Sequence, residues 1–499
     1  MRTSFGKFGR PFLLWGTLLF CLLPFFLVSF FNSMAADDFQ LYTLDRKVGI
    51  WAGLAQLYRR WTGRYTAIFI QMWLVDHNIP ERFYFLHTQL LLIGIGWAFY
   101  FFLSSINKVF LGSFFSKARL LAASLVLLLI TLYVQAEIST GFYWFCSAVT
   151  YQPPLIFSLL IAGLLIRDGA VSPRQIKIKY LAPALILVVL TCGTTEIGPI
   201  YLMLSLFVVS VFIYRMTGKM PVALVACLVM TLITGIFIML TSGLFSDRVT
   251  FMNGNTSLVF ILPMTLLRSA SVFYYILRVP AFWVVSLLSY GTGLKLAPLE
   301  SNRLSVLPWG GRRILVPGLL VIFACVFLSL MPILAVTRGA FPARSSDTLV
   351  DLTVVSLLAL LFMAGLVDTQ RAALLKDIRI PSALLLFLLI VTLTATVPLV
   401  KAWESVFSGY FYHGMVQQRK NLIRDALSEG KRTVTIEPAE AGVEAVIHER
   451  FPHGIFETVH SILLKKPALI YDDNGMETGT QAIYQYYGLD TIIVKNPGD

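Results

Sequence analysis

Residues 11–38 read PFLLWGTLLFCLLPFFLVSFFNSMAADD, an apolar run followed within a few residues by two adjacent carboxylates. The run ends at Phe31, and a bilayer core of about 30 Å needs about 20 apolar residues per spanning helix. It is preceded by three basic residues, Arg2, Lys7 and Arg10. The positive-inside rule then predicts a cytoplasmic N-terminus, with Asp37 and Asp38 just beyond the opposite membrane face.

A cleaved signal peptide is the alternative for this segment, because residues 33–35 end in a small residue as cleavage sites do. The apolar run is longer than the usual signal core of about 7–15 residues, which favours a retained span.

The composition extends this prediction to most of the chain. Of the 499 residues, 57% are hydrophobic and 13% are charged, against about 25% charged in soluble domains. This excludes a soluble enzyme. Eleven spanning helices are predicted, at 11–31, 84–103, 119–136, 154–166, 181–196, 199–214, 221–242, 270–291, 314–335, 350–367 and 383–400.

The distribution of charge supports this topology. The basic excess lies in residues 1–400, mostly in the predicted cytoplasmic segments, where it indicates orientation rather than nucleic-acid binding. Residues 401–499 form a polar tail, predicted as a small α/β extracytoplasmic domain with helices near 404–428, 454–465 and 478–487 and strands at 434–436, 468–471 and 491–494. Gly430 is placed to end the first of these helices. We therefore expect an all-α polytopic membrane domain over 1–400 and a C-terminal domain over 401–499.

The first outer loop, about residues 32–83, contains the most informative polar residues. Adjacent carboxylates at a membrane exit can supply a general base, bind a divalent cation or simply keep a loop solvated. Apolar residues at 50, 54, 57 and 61 follow a helical spacing and predict an interfacial helix. The basic residues of this outer loop, Arg64 among them, would contact an anionic lipid phosphate or ordinary headgroups.

Other candidates lie in later outer segments. The aromatic loop 139–152, with Trp144 and Tyr151, would form either an interfacial belt or a platform on which a sugar stacks. Glu196 ends the fifth predicted span, where a carboxylate is costly unless it faces water or a partner. Arg248 and Arg344 could neutralise a phosphate or anchor headgroups. The last three histidines (448, 453 and 460) are spaced by five and seven residues, which matches no helical metal pair, so no metal site is predicted.

Taken together, these features resemble the GT-C class of polytopic membrane glycosyltransferases, which take sugars from polyprenyl phosphates. Protein O-mannosyltransferases and the aminoarabinose transferases of lipid A share the plan of a cytoplasmic N-terminus, an acidic first outer loop, many spans and an outer terminal domain. Residues 36–39 (ADDF), 61–65 (WTGRY) and 419–430 look like a family of uncharacterised bacterial GT-C-like proteins. The span number and outer tail are similar to those of serotype-converting O-antigen glucosyltransferases.

The resemblance implies a bacterial inner-membrane enzyme that transfers a sugar to an extracytoplasmic glycan or glycolipid with inversion. Asp38 or Asp37 would be the general base, and Arg64, Arg248 or Arg344 would stabilise the departing polyprenyl phosphate. The resemblance establishes no cofactor, and a divalent cation stays open, since two adjacent carboxylates could bind one but do not form a coordination cage alone.

Three alternatives stay open. A transporter or flippase of lipid-linked saccharides needs ionisable residues well inside the spans, and the predicted spans contain few. A polysaccharide polymerase would also transfer sugars outside the membrane. A non-catalytic scaffold would simply present the tail.

Overall fold

The computed structural model describes residues 5–35, 37–168, 177–242, 258–297, 311–337, 343–368, 381–451, 457–464, 468–470 and 481–494. Its helices before the tail are α1 (Phe5–Val28), α2 (Asp37–Arg60), α3 (Tyr65–Asp76), α4 (Ile79–Arg82), α5 (Phe85–Val109), α6 (Lys117–Val134), α7 (Phe145–Tyr151), α8 (Pro153–Asp168), α9 (Ile178–Cys192), α10 (Ile197–Thr217), α11 (Val222–Thr241), α12 (Leu258–Leu277), α13 (Pro280–Leu296), α14 (Gly311–Thr337), α15 (Ala343–Val367) and α16 (Ser382–Thr394). The remaining elements are α17 (Val397–Ser428), β1 (Thr433–Ile436), α18 (Ala439–Arg450), α19 (Glu457–Leu464), α20 (Gln481–Tyr487) and β2 (Thr491–Val494).

The protein is an all-α polytopic membrane protein. Within the described ranges, nine segments are long and apolar enough to cross a bilayer, or ten if the bent pair α16 and α17 forms one span. The bend of 48° between them lies just before Pro398, which cannot donate the backbone hydrogen bond of a continuous helix.

Two predicted spans differ from the observed helices. The single span predicted at 270–291 is interrupted, because α12 ends at Leu277 and α13 starts at Pro280. The residue before a proline avoids helical geometry, which explains the break at Val279. Helix α9 has 15 residues and is shorter than a usual span. The count of eleven spans therefore stays a prediction.

Helices α13 and α15 pack with their backbones in close contact. A Cβ atom added at Gly293 would meet the carbonyl oxygen of Phe362 and, at 2.9 Å, the backbone nitrogen of Leu366. A Cβ added at Gly365 would in turn meet the backbone of α13. Small residues are typical of membrane helix interfaces because they allow this close approach. The pair fixes α15 within the bundle.

The first outer loop folds into helices α2 and α3 and the short helix α4, beside the tail. Helix α2 is kinked at Gly49, whose φ of 75° separates its two halves, and α3 is the short apolar segment that follows. The partly buried side chains of Ile50, Leu54 and Leu57 pack on a core cluster that also includes residues of α3, α7, β1 and α20. Because these residues face protein, this apolar face of α2 covers the core cluster.

The tail largely follows the predicted elements. Strands β1 and β2 pair in parallel, with Thr433 opposite Thr491. Gly430, with φ 75°, follows the end of α17, as the prediction of a helix stop there required. Residues 468–470 form a turn rather than the start of a strand, and α18 was not predicted. Its Val443, Val446 and Ile447 join the large core cluster that contains the membrane helices.

Tight packing of α13 on α15 predicts that Gly293→Ala lowers the unfolding free energy by about 1–3 kcal/mol, since the new methyl group meets backbone that cannot rotate away. Gly291→Ala on the same helix is the matched control, because no atom lies within 4 Å of its added Cβ. Thermal unfolding of both variants in detergent measures the difference. Equal unfolding temperatures would contradict this packing.

Candidate functional site

Helix α7 is a short buried helix around which most of the predicted site residues gather. It has seven residues, Phe145–Tyr151, all of them buried. A π-helical turn at Ser139–Tyr143 precedes it, and Pro153 opens the next helix. A helix of this length is about 10 Å long and leaves most of its backbone groups without partners inside the helix. Other segments therefore have to satisfy its two ends.

Asp38 satisfies the N-terminal end of α7. Its Oδ1 accepts a hydrogen bond from the backbone N–H of Cys146 (3.2 Å), and its Oδ2 accepts from the N–H of Ala35 (3.0 Å) and the hydroxyl of Tyr84 (2.9 Å). The same Tyr84 oxygen accepts from the N–H of Phe145 (3.1 Å). A carboxylate at a helix N-terminus is favourable because the helix dipole is positive there.

Asp38 has no exposed surface. Burial raises the pKa of its carboxyl group from the ordinary 3.8 to about 6, and the hydrogen bonds from Cys146, Ala35 and Tyr84 oppose that rise. An acceptor hydroxyl does not reach Asp38 in this conformation. The contacts make Asp38 an anchor between the first loop and α7.

Asp37, the other predicted base, is exposed. Its neighbour Asp38 binds the N–H of Cys146, so Asp37 lies near the N-terminal end of α7, where Arg344 contacts the ring of Trp144. Of the two adjacent carboxylates, Asp37 is thus the one that a substrate can reach.

Arg344 enters this site from the start of α15. Its guanidinium carbon lies 4.6 Å from the centre of the Trp144 ring, within the range of a cation–π interaction. Trp144 is itself buried. One turn further along α15, the Thr348 hydroxyl donates to the carbonyl oxygen of Tyr151 (2.7 Å). The first turns of α15 therefore contact both ends of the short helix α7.

Arg64 and Glu196 meet at the C-terminal end of α7. The Nη2 atom of Arg64 lies 2.8 Å from Glu196 Oε2, and its Nε lies 3.0 Å from both carboxylate oxygens. The Thr62 hydroxyl also donates to Glu196 (3.2 Å). Arg64 Nη1 donates to the Tyr151 hydroxyl at 3.5 Å. Paired arginine and carboxylate groups of this kind hold both side chains in one orientation.

The environment keeps Arg64 charged. Burial alone would lower the pKa of Arg64, but the negative charge and hydrogen bonds of Glu196 raise it above its ordinary value. About a fifth of each side chain is exposed, so the pair borders solvent. Glu196 thus has the cationic partner that its position required.

The structure brings seven of the eight predicted site residues to α7. Asp37, Asp38, Trp144 and Arg344 lie at its N-terminal end, and Arg64, Tyr151 and Glu196 at its C-terminal end. Arg248 lies outside the described residues. Guanidinium groups already lie over the rings of Trp144 and Tyr151. Stacking of a sugar on either ring would require the arginine to move.

Asp347 and Asp351 are buried polar residues that were not predicted from the sequence as site residues. The predicted span, 350–367, included Asp351 but not Asp347. Helix α15 begins at Ala343, so both aspartates lie inside a membrane helix, and both are fully buried. The signal in the sequence is their spacing of four residues directly before an apolar run, which places both on one helix face.

The polar and charged residues around α7, together with Asp347 and Asp351, form a polar layer. A large apolar cavity lies beneath this polar layer. Its volume is about 1700 Å³, and its lining along α15 extends from Leu352 to Leu366, about 20 Å at the rise of a helix. Arg119 and Arg215 line it at the start of α6 and near the end of α10, the predicted cytoplasmic ends of these helices. The cavity has the length and character to hold a lipid chain.

The tail contains one group of possible metal ligands among the described residues. The ligand atoms of Glu444, His448 and His460 lie within 4.8 Å of one another. Spacing between histidines alone did not reveal the group, because one ligand is a glutamate four residues before His448. Two histidines and a carboxylate are ligands that suit zinc.

Comparison of the chain with protein-family models, with curated proteins and with solved structures finds no match.

Because the pKa of Asp38 in the folded protein lies above its ordinary value, ionisation of Asp38 lowers the unfolding free energy as the pH rises from about 4 to about 6, and the effect levels off at higher pH. Asp38→Asn should remove this part of the pH dependence. Asp37→Asn is the matched control, since its exposed carboxylate should leave the dependence in place. Thermal unfolding at several pH values measures this dependence. The same pH dependence of stability in wild type and Asp38→Asn would refute the raised pKa of Asp38.

The ion pair predicts a strong coupling between Arg64 and Glu196. Glu196→Gln should lower the unfolding free energy by about 2–3 kcal/mol, since it leaves a largely enclosed cation without its anion. Adding Arg64→Gln should then cost less than it costs in the wild type, because no unpaired charge remains. A double-mutant cycle on unfolding provides the measurement. Strictly additive effects would argue against the pair.

Proposed function

We propose that the protein is a membrane glycosyltransferase that moves a sugar from a polyprenyl-phosphate donor to an extracytoplasmic glycan or glycolipid acceptor. The observation that carries this proposal is the position of exposed Asp37 next to Asp38, which binds the N-terminal end of α7, while Arg344 lies over the ring of Trp144 at that same end. A reachable carboxylate and a cation at one end of the same helix are the groups that transfer from a phosphate leaving group needs.

In the proposed reaction, Asp37 takes the proton of an acceptor hydroxyl as that oxygen attacks the anomeric carbon. The bond from this carbon to the phosphate oxygen breaks, and the electron pair leaves with polyprenyl phosphate. Attack opposite the leaving group inverts the anomeric centre. The proton on Asp37 then passes to water.

Arg344 is the better candidate to stabilise the leaving phosphate. Arg64 already shares its charge with Glu196, so a second anion would gain less from it. Arg344 instead lies over the neutral ring of Trp144, and a phosphate oxygen could accept its N–H groups while the stacking is kept. Trp144 and Tyr151 then serve to orient the two arginines.

The cavity supports a lipid-linked donor. Arg344 and Leu352 lie on the same helix, eight residues or about 12 Å apart, and the cavity begins at Leu352. A phosphate beside Arg344 would therefore lie above an apolar space long enough for part of a polyprenyl chain. Burial of each CH₂ group contributes about 0.8 kcal/mol to binding.

A flippase or transporter of lipid-linked saccharides is a second candidate. The predicted spans contained few ionisable groups, but the structure places two buried aspartates inside α15, above the cavity. Carboxylates inside a membrane span are typical of transport pathways. In this alternative the lipid would cross the membrane without transfer of its sugar.

Transfer of sugar distinguishes the two candidates. Purified protein in lipid, given a panel of radiolabelled polyprenyl-phosphate hexoses and crude envelope glycans, should move label to the glycan. Asp37→Asn should reduce this rate by about 100-fold to 10,000-fold, the usual contribution of a general base. Asp76→Asn is the matched control, because Asp76 is also a half-exposed carboxylate of the first loop but lies beside His77.

Full activity of Asp37→Asn would contradict its role as the base. Movement of labelled lipid across vesicle membranes, with no transfer from any donor, would favour the flippase instead.

A further inference from the structure

Four oxygen atoms beneath the π-helical turn at Ser139–Tyr143 lack hydrogen-bond partners although they are buried. They are Gln135 Oε1, Gln152 Oε1, Asp347 Oδ2 and Asp351 Oδ2. The side chains of Gln152 and both aspartates have no exposed surface, and that of Gln135 has 4%. Buried polar atoms are almost always satisfied, so an unpartnered set of acceptors indicates a missing ligand.

The hydrogen bonds that do form fix these side chains. Gln135 Nε2 donates to Asp351 Oδ1 (2.7 Å), and Gln152 Nε2 donates to the carbonyl oxygen of Gly141 (3.1 Å). Asp347 Oδ1 accepts from the N–H of Ala136 (2.9 Å). The side-chain amides of Gln135 and Gln152 thus each donate an N–H, and their carbonyl oxygens accept no hydrogen bond. All four side chains retain an acceptor that these bonds do not use.

The lack of a side chain at Gly141 lets two of these acceptors lie close to the backbone. A Cβ atom added there would lie 2.5 Å from Asp347 Oδ2 and 3.4 Å from Gln135 Oε1. Two of the unpartnered oxygens therefore border the space that a side chain at position 141 would fill. Asp351 is held beside them through its bond to Gln135.

The negative charges of Asp347 and Asp351 also require a positively charged partner. Two carboxylates enclosed in a membrane helix are costly unless a positive charge compensates them. Among the described residues, neither Asp347 nor Asp351 forms an ion pair. Arg278 donates to the backbone oxygen of Gln135 (3.1 Å) and not to a carboxylate. Arg344, one turn before Asp347 on α15, acts on Asp347 electrostatically without forming an ion pair with it.

We propose that Gln135, Gln152, Asp347 and Asp351 bind a divalent cation of the calcium or magnesium type. Carboxylate and amide oxygens without sulfur or nitrogen ligands are the donor set of these hard cations. Two carboxylates balance a charge of +2, and water completes the coordination shell. The ion would join the ends of α6 and α7, at Gln135 and Gln152, to α15, so it holds the bundle together whether or not the protein transfers sugars.

Ion binding to the full-length protein in nanodiscs tests the site without any sugar donor. Protein stripped with EDTA is titrated with Ca²⁺ or Mg²⁺ at constant ionic strength, while thermal unfolding and bound metal are measured. Zn²⁺ is left out because Glu444, His448 and His460 could bind it. The wild type should bind one ion in this site, with a higher unfolding temperature.

Asp347→Asn and Asp351→Asn should each weaken binding by at least about 10–100-fold, the loss typical of removing even an outer-sphere partner of a metal. Gly141→Ala should weaken it without changing a charge, because its methyl group takes the space beside Asp347 Oδ2. Asp368→Asn is the matched control, since this buried carboxylate follows the other end of α15 and accepts from the Tyr290 hydroxyl (3.0 Å).

Unchanged binding in Gly141→Ala and in both aspartate variants would overturn the proposal, as would a wild type that binds no divalent ion. A higher unfolding temperature of Asp351→Asn in EDTA, with no ion dependence in the wild type, would mean that the two carboxylates share a proton and would also overturn it.

Discussion

The buried N-terminus of α7 is the constraint on which the polar layer of this protein depends. The N–H groups of Phe145 and Cys146 point away from water and need acceptors, which Tyr84 and Asp38 supply. Because Asp38 also holds the backbone of Ala35, one carboxylate ties the exit of the first span to a helix more than 100 residues further along the chain. Asp37 occupies its exposed position because its neighbour is fixed in this way.

The other charged groups near α7 also have partners because they are largely enclosed. Arg64 and Glu196 enter a largely enclosed layer as a pair, and Arg344 enters with its charge over an aromatic ring. Each of these contacts offsets part of the desolvation that a lone charge would suffer. Below this layer the bundle is apolar, and its helices depend on close backbone contact, as at Gly293 and Gly365. The charged groups around α7 thereby lie together at one end of the apolar bundle.

Local patterns in the sequence predicted the parts of the fold that depend on neighbouring residues. The first span, the two strands of the tail and the helix stop at Gly430 all follow from apolar periodicity or turn chemistry. The different environments of Asp37 and Asp38 could not be predicted, since identical adjacent residues carry no local signal. Asp347 was missed because the polar residues before it read as a loop. The partnership of Arg64 with Glu196 depends on packing between segments 132 residues apart.

A cryo-EM structure of the protein in nanodiscs with a non-hydrolysable polyprenyl-phosphate hexose analogue would show where the donor binds. We expect phosphate density in hydrogen-bonding contact with Arg344, the sugar beside Asp37, and the chain entering the cavity along α15. A headgroup bound away from the N-terminal end of α7, or a sugar that contacts neither Asp37 nor any other residue at that end, would contradict the proposed site.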